Sequence, residues 1–316
     1  MPSVFPHHPD YDKKTLITLI SLSAIVLGGG AVWLSYQLYQ NKFVTLDPQL
    51  KEVSGIEFDK RGRLWAINDS GDGPFLYQVD DKGKVQRRVQ VVNAKNIDWE
   101  DMTQNEFGHF FLGDFGNNDN LRRWLTIYKI ENPIDIKSDE TNAEIIKFTY
   151  KELWEQPLTP ERKNFDLEAF VEYRHQLYLF TKNRTQPFDG KTNLYRIGNH
   201  AGNYEAQFIA SFQTCTTAEK LCWVRSAAMS PDRKKLVLLD STHLWLFENW
   251  QGDNFFSGTI DKINLGLVTQ KEAVTFYDND TLVITDEEFN GIGRNVYVIK
   301  LTQQQRERVS DGSKAL

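Results

Sequence analysis

Apolar and polar residues alternate in short runs from Val44 to Thr302, with turn residues between them and almost nothing at helical spacing. Five related segments recur within this region: Val53-Ser54-Gly55-Ile56, Trp99-Glu100-Asp101-Met102, Leu167-Glu168-Ala169-Phe170, Arg225-Ser226-Ala227-Ala228 and Lys271-Glu272-Ala273-Val274. Each is followed by a second apolar strand, at Leu64 to Ile67, Phe110 to Leu112, Leu177 to Phe180, Leu236 to Leu239 and Leu282 to Ile284. Fourteen residues after each Ser or Glu, a polar residue closes that second strand: Asn68, Asp114, Lys182, Asp240 or Asp286. Third strands follow around Leu76, Ile127, Leu194, Trp245 and Tyr297, and fourth strands at Val85 to Val92, Ile145 to Tyr150, Gln207 to Phe212 and Thr259 to Ile263. The fifth segment runs out after three strands. Phe43 to Leu46, ahead of the first repeat, is placed to supply the missing outer strand and close a ring.

Repeats of 46, 68, 58 and 46 residues built from four strands mean a β-propeller, because one such sheet cannot bury both of its faces alone. The expected fold is all-β with five blades. A sixth blade hidden in the long step from Glu100 to Glu168 is the alternative count, and a β-sandwich is disfavoured because it needs no constant offset.

The amino terminus breaks the pattern. From Thr15 to Asn41 no residue is charged, and the apolar run from Leu16 to Leu34 is long enough to span a bilayer. Lys13 and Lys14 precede it, and Trp33, Tyr36 and Tyr39 sit at the far end, where interfacial aromatics belong. The expected organisation is a cytoplasmic stretch 1–14, a transmembrane signal anchor 15–40, a propeller 43–302 and a polar, disordered tail 303–316. A cleaved signal peptide ending near Gly29-Gly30-Ala31 is the rival. Either reading places the propeller outside the cytoplasm, in the periplasm or extracellular space. Cys215 and Cys222 fit that placement, since an oxidising compartment permits a disulfide between them; two unpaired thiols are the alternative.

Composition narrows the chemistry. The chain has 316 residues, 40% hydrophobic, 13% aromatic and 25% charged, which is globular and rules out wholesale disorder. With 37 Lys+Arg against 43 Asp+Glu, and no basic tract, nucleic acid is not the expected partner. Two cysteines and six histidines leave little room for Cys/His metal sites. His109, His175, His200 and His243 share no spacing with a nucleophile, so a Ser/His/Asp triad is unsupported.

In a propeller the first strand of each blade lines the central channel. Ser54, Glu100, Glu168, Ser226 and Glu272 are therefore expected to form one ring. If the first two strands make a tight hairpin, position 54 faces position 68, so Asn68, Asp114, Lys182, Asp240 and Asp286 flank that ring. Three carboxylates converging on a channel repel unless neutralised. Calcium takes six to eight oxygen ligands, which suits three Glu, two Ser and water and disfavours zinc. The competing view is that these are ordinary strand starts paired to Lys or Arg.

The succession Ser54, Glu100, Glu168, Ser226, Glu272, one per blade, resembles the five-bladed calcium-activated nucleotidases (apyrases), whose central calcium is held by that order. The resemblance implies a calcium at these five positions across the whole propeller. It departs at Asn68-Asp69-Ser70-Gly71 and Gly116-Asn117-Asn118-Asp119, and its paired arginines are matched only loosely by Lys182 and Arg184. Asp98-Trp99-Glu100-Asp101, Gly113-Asp114-Phe115-Gly116-Asn117-Asn118, Glu168-Ala169 with Thr181-Lys182, and Asn68-Asp69-Ser70-Gly71 also look like a largely uncharacterised group of exported bacterial propellers, loosely phytase-like and esterase-like. That likeness implies an exported protein without fixing a substrate.

Two functions of different class follow. One is a calcium-dependent hydrolase of phosphate esters or anhydrides, with a phosphorylated small molecule as substrate. In it Asp69, Asp114, Asp240 and Asp286 supply general-base or water-positioning carboxylates, while Lys182 and Arg184 neutralise phosphate. The alternative is a non-catalytic, membrane-anchored interaction module whose calcium only ties blades together; no protein partner is specified. Asn68-x-Ser70-x-Asp72-Gly73 copies half of an EF-hand loop, but Val79 stands where the bidentate Glu belongs, so it reads as a polar turn. Asn117 to Asn120 reads as a turn, with a binding role at the channel mouth beside Asp114 as the second reading. Trp124 and Trp154 read as core residues, with stacking on a ligand as the second reading.

Overall fold

The computed structural model describes residues 42–309, apart from 156, 217, 267 and 268. Five antiparallel sheets stand around an axis, each built outward from a short innermost strand. Blade 1 comprises Val53–Phe58, Leu64–Asn68, Phe75–Val79 and Val85–Val91; blade 2 comprises Trp99–Gln104, Phe110–Asp114, Leu125–Ile130 and Glu144–Thr149. Blade 3 is Asp166–Tyr173, Gln176–Lys182, Lys191–Gly198 and Gln207–Gln213, and blade 4 is Ser226–Met229, Lys235–Leu239, His243–Glu248 and Thr259–Asn264. Blade 5 takes Lys271–Phe276, Thr281–Asp286 and Asn295–Lys300 from the end of the chain and its outermost strand, Lys42–Thr45, from the beginning. The ring thus closes as the alternation predicts, with five blades and no sixth among the described residues.

The core lies between blades. Five apolar clusters fill the five blade-to-blade interfaces, for example Trp65, Trp99 and Phe110 between blades 1 and 2, and Phe180, Phe212 and Phe247 between blades 3 and 4. Aromatic and β-branched side chains suit both faces of such sheets, which explains the high aromatic content. Near the axis the side chains shrink. A Cβ on Gly55 would lie 2.9 Å from the backbone nitrogen of Met102, so only glycine lets the innermost strands of blades 1 and 2 approach this closely.

Two expectations are corrected here. Ring residues do not face the closing residues of the second strands. In blades 1, 2 and 5 the residue before the ring position takes that place, pairing Val53 with Asn68, Trp99 with Asp114 and Lys271 with Asp286. In blade 3 Asp166 pairs with Lys182. The ladder slips at Ser54, Glu100–Asp101, Glu168 and Glu272 because each of these blades carries a bulge there, and a bulge re-aims its extra residue. Blade 4 has none: Ser226 pairs with Leu239, and Asp240 lies beyond the ladder.

The second correction concerns the tail. A 3-10 turn at Gln303–Gln305, closed by a Thr302/Gln305 capping box, leads into Arg306–Arg308, which adds an edge strand to blade 4. Arg306 and Arg308 are drawn to Asp261 and Glu248, so this polar stretch is ordered by ion pairs and not by apolar burial. Blades 1 and 2 gain parallel edge strands from Glu140–Thr141 and Gly202–Glu205. The segment 15–40 read as a membrane span lies outside the described residues; among those described, no helix is long and apolar enough to cross a membrane.

Candidate metal centre at the axial mouth

Second-to-third-strand loops and blade-to-blade connections gather on one face of the ring, around the starts of the innermost strands. Below that face the axis is closed. Asp101, fully buried, accepts hydrogen bonds from Met102 N at 2.9 Å, Ala227 N at 3.2 Å, Phe170 N at 3.3 Å and Ser226 Oγ at 3.1 Å. One carboxylate therefore joins blades 2, 3 and 4. Burial pushes its pKa up, while these four donors pull it down. The net result is a pKa raised well above the ordinary value, with burial outweighing the four donors. At the far end Arg233 reaches Gln104 O and the backbone and carboxylate of Glu172, and Glu57 accepts from Thr275 at 2.8 Å. The channel is a cup open on one face.

The five ring residues lie around the lip of this cup, with different partners. Ser54 Oγ donates to Trp99 O at 3.0 Å, tying blade 1 to blade 2. Ser226 Oγ donates to Asp101 and accepts from Val274 N at 3.1 Å, tying blade 4 to blade 5. Glu168 is paired with Lys182, and Glu272 with Arg225. Glu100 differs: its carboxylate joins Asp69 and Asp98, with one oxygen of each within 4.8 Å of the others. Asp69 comes from the loop after the second strand of blade 1, and Asp98 and Glu100 flank the start of blade 2.

Burial raises the pKa of Glu100 well above its ordinary value, and the charges of Asp69 and Asp98 push it the same way against the pull of Lys182. Burial likewise lifts Asp69 to about 7, with Asp98 and Glu272 adding to the rise. Asp98 is raised by burial and by Asp166, opposed by Arg122. Three acids that resist ionisation together describe an anionic pocket short of positive charge. Beside them, Glu168 Oε2 and Asp114 Oδ2 are buried without a hydrogen-bond partner. Gly116 makes the space: a methyl group on its Cα would overlap Asp98 Oδ2 and Glu100 Oε1. The donor set is all oxygen, which fits a hard divalent cation and not zinc.

Mouth cations are already engaged. Arg184 Nε donates to Asp166 at 2.7 Å, and Arg122 Nη2 to Asp114 Oδ1 at 3.1 Å. The Lys182 ammonium and the Arg184 guanidinium lie 5.0 and 4.2 Å from the centre of the Trp223 ring. Of the proposed catalytic acids, Asp69 reaches the mouth. Asp114 supports the backbone of Asp98 at 3.0 Å. Asp240 and Asp286 serve their own blades: Asp240 accepts from Trp245 Nε1 at 2.9 Å and His243 N at 2.7 Å, and Asp286 from Tyr297 Oη at 2.7 Å and Asn295 N at 2.6 Å. Both are buried, with aromatic donors from the third strand filling their oxygens.

Both polar loops are turns. Asp72 accepts from Asn68 Nδ2 at 2.8 Å and Gly73 N at 2.7 Å, without flanking helices. Asn117 N donates to Asp166 Oδ1 at 2.7 Å and Phe165 N to Asn120 Oδ1 at 2.8 Å, which sews blade 2 to blade 3. Cys215 and Cys222 are bridged, with Cα atoms 5.5 Å apart. The sequence did not single out Asp98, Asp101, Asp166, Gly116 or Trp223. Asp98 and Asp101 lie within a quoted motif, yet only the bulge reveals which of its acids points where.

No family model matches the chain, and no curated protein sequence matches it. Solved propellers do. The Malassezia sympodialis allergen Mala s 1 aligns at 11% identity over 79% of this chain and 92% of its own, with a TM-score of 0.50. A gluconolactonase from Xanthomonas campestris aligns at 12% identity over 79% and 72%, TM-score 0.42. Virginiamycin B lyase from Staphylococcus aureus aligns at 12% over 81% and 68%, TM-score 0.39. At such identities the likeness concerns the β-propeller fold alone.

Proposed function

We propose that this chain is a membrane-anchored, extracytoplasmic propeller that binds calcium in the axial cup and hydrolyses phosphate esters or anhydrides there. The observation that carries the reading is the convergence of Asp69, Asp98 and Glu100 on the space left open by Gly116. Carboxylates from blades 1 and 2 would hold the ion, and bound calcium would supply the positive charge that a phosphoryl oxygen needs. That charge has to come from the ion, because Lys182, Arg184, Arg122 and Arg225 are each paired with a carboxylate. The rest of the lip orients: Asp114 fixes the backbone of Asp98, and Trp223 carries the Lys182 and Arg184 cations at the edge of the cup. The Cys215–Cys222 bridge supports an oxidising location, and the uncharged segment 15–40 supports an anchor.

A calcium that only ties blades together has less to do, since Asp101, Ser54 and Ser226 already join the innermost strands. The test uses full-length protein in detergent. Calorimetry should show calcium binding that Gly116→Ala weakens on the order of a hundredfold, the scale of losses when a metal's surrounding shell is disturbed. Hydrolysis of p-nitrophenyl phosphate, its phosphodiester analogue or pyrophosphate should appear with calcium and vanish with chelator. A reporter fused to the carboxyl terminus should read out extracytoplasmic. Absence of calcium binding sinks the reading; binding with no hydrolysis leaves the non-catalytic module; a cytoplasmic reporter sinks the location.

A further inference from the structure

Trp124 and Trp154 are not core residues. They are 42% and 50% exposed on the rim of blade 2, whereas Trp65, Trp99, Trp223 and Trp245 are buried. Their rings meet edge to face, centroids 6.2 Å apart at 79°, so the pair forms a right-angled corner. Trp154 is fixed there by its indole N–H, which donates to Thr149 Oγ1 at 2.9 Å. The guanidinium of Arg123 lies 5.2 Å from the centre of the Trp154 ring. Among the described residues it has no carboxylate or hydrogen-bond partner, in contrast to Arg122, Arg184 and Arg225 at the cup.

We infer that this corner is a binding subsite for a pyranose ring carrying an anionic substituent. The C–H face of a sugar bears small positive charges that match the negative face of an indole. A perpendicular second ring confines it from the side, and a rigid aromatic surface binds with little loss of side-chain entropy. The free guanidinium presents a planar fork of donors suited to carboxylate or phosphate. A broad protein or lipid contact fits less well, because the corner is bordered by charge, including Lys151 and the exposed Glu155–Arg162 pair at 2.7 Å. The subsite joins the cup by one continuous loop. Arg122, next to Arg123, donates to Gly116 O at 2.7 Å.

This inference does not depend on the calcium reading and is tested in chelator. Full-length protein in detergent is titrated with a glucuronic-acid-containing tetrasaccharide, with glucose 6-phosphate and with an uncharged glucose tetrasaccharide, read by calorimetry and tryptophan fluorescence. At least one charged sugar should bind and quench fluorescence, more tightly than the uncharged tetrasaccharide. Trp124→Ala and Trp154→Ala should each weaken it about tenfold or more. Arg123→Gln should weaken the charged ligands toward the uncharged one. All three variants should keep the parent melting temperature, because the side chains lie outside the core. A uronate that binds while the phosphate does not names carboxylate as the preferred anion, and the reverse names phosphate. No binding by either charged sugar, binding indifferent to both tryptophan variants, or equal affinity for charged and uncharged sugars overturns the assignment.

Discussion

Asp101 occupies the position on the axis where a blade-tying ion was expected, and it does that work with hydrogen bonds. Its four donors belong to three blades, and each would be left buried and unpaired if the acceptor were removed. An unmet buried donor costs about 1–3 kcal/mol. Asp101→Ala should therefore destabilise the propeller by about 3–5 kcal/mol. Asp101→Asn keeps the shape but turns one acceptor into a donor facing backbone N–H groups, so it should lose nearly as much. Denaturant unfolding measures both. A change within about 0.5 kcal/mol, the range of an ordinary surface substitution, would show that the axis is held by other means. None of this was visible in the sequence, where Asp101 is only one residue of the Asp98-Trp99-Glu100-Asp101 motif. The bulge that turns it inward is a feature of pairing between strands.

At the element scale the sequence was informative because propeller strands repeat. Constant spacing from each ring position to its closing residue located the first two strands of all five blades, and Phe43 to Leu46 was recognisable as the closing strand. Register was not legible, since alternation assumes regular pairing and four of the blades break it where the candidate ring residues lie. Edge strands such as Arg306–Arg308 were also missed, because ion pairs and backbone hydrogen bonds hold them without an apolar signature. The closing strand makes an unequal demand on the two termini. Leu46 and Leu50, which follow Lys42–Thr45, are buried between blades 5 and 1, and Leu46 N donates to Arg294 O. Deleting residues 1–46 opens the ring and exposes the edge of Asn295–Lys300. The loss of the Leu46 side chain alone is worth about 1.5–3 kcal/mol, before the ladder is counted. Deleting 303–316 removes, among the described residues, a 3-10 turn and an edge strand with its ion pairs. Melting curves should show a large drop for the first truncation and a smaller one for the second; equal drops would mean that the ring does not depend on its amino-terminal closure.

Across the whole molecule, net charge is -6, but the acid is not spread evenly. Asp69, Asp98, Glu100 and Glu287 gather at the mouth, while the cations nearby are each committed to a carboxylate. Burial, followed by Glu272, Asp69 and Glu52, lifts Glu287 from its ordinary 4.5 to about 7, as burial and its neighbours lift Asp69 from 3.8 to about 7. A raised carboxyl pKa means that the folded protein holds its proton more tightly than the unfolded chain does. That contribution is fully present below pH 4 and is lost as pH rises through 7, where the mouth must ionise against its own charge. In the absence of divalent ions, the melting temperature should therefore fall between about pH 4.5 and pH 7.5, beyond which these two groups add no further slope. Glu287→Gln, which leaves Asp69, Asp98 and Glu100 in place, should flatten the decline and raise the melting temperature at pH 8. Under the proposed calcium binding, the ion should oppose the decline most strongly at the alkaline end, because it would bind the ionised carboxylates and compete with protons. Differential scanning calorimetry over this pH range, with chelator and with calcium, measures all three effects. A melting temperature that rises from pH 4.5 to 7.5 in chelator, or that Glu287→Gln and calcium both leave unchanged, would show that the mouth is not a strained cluster of acids.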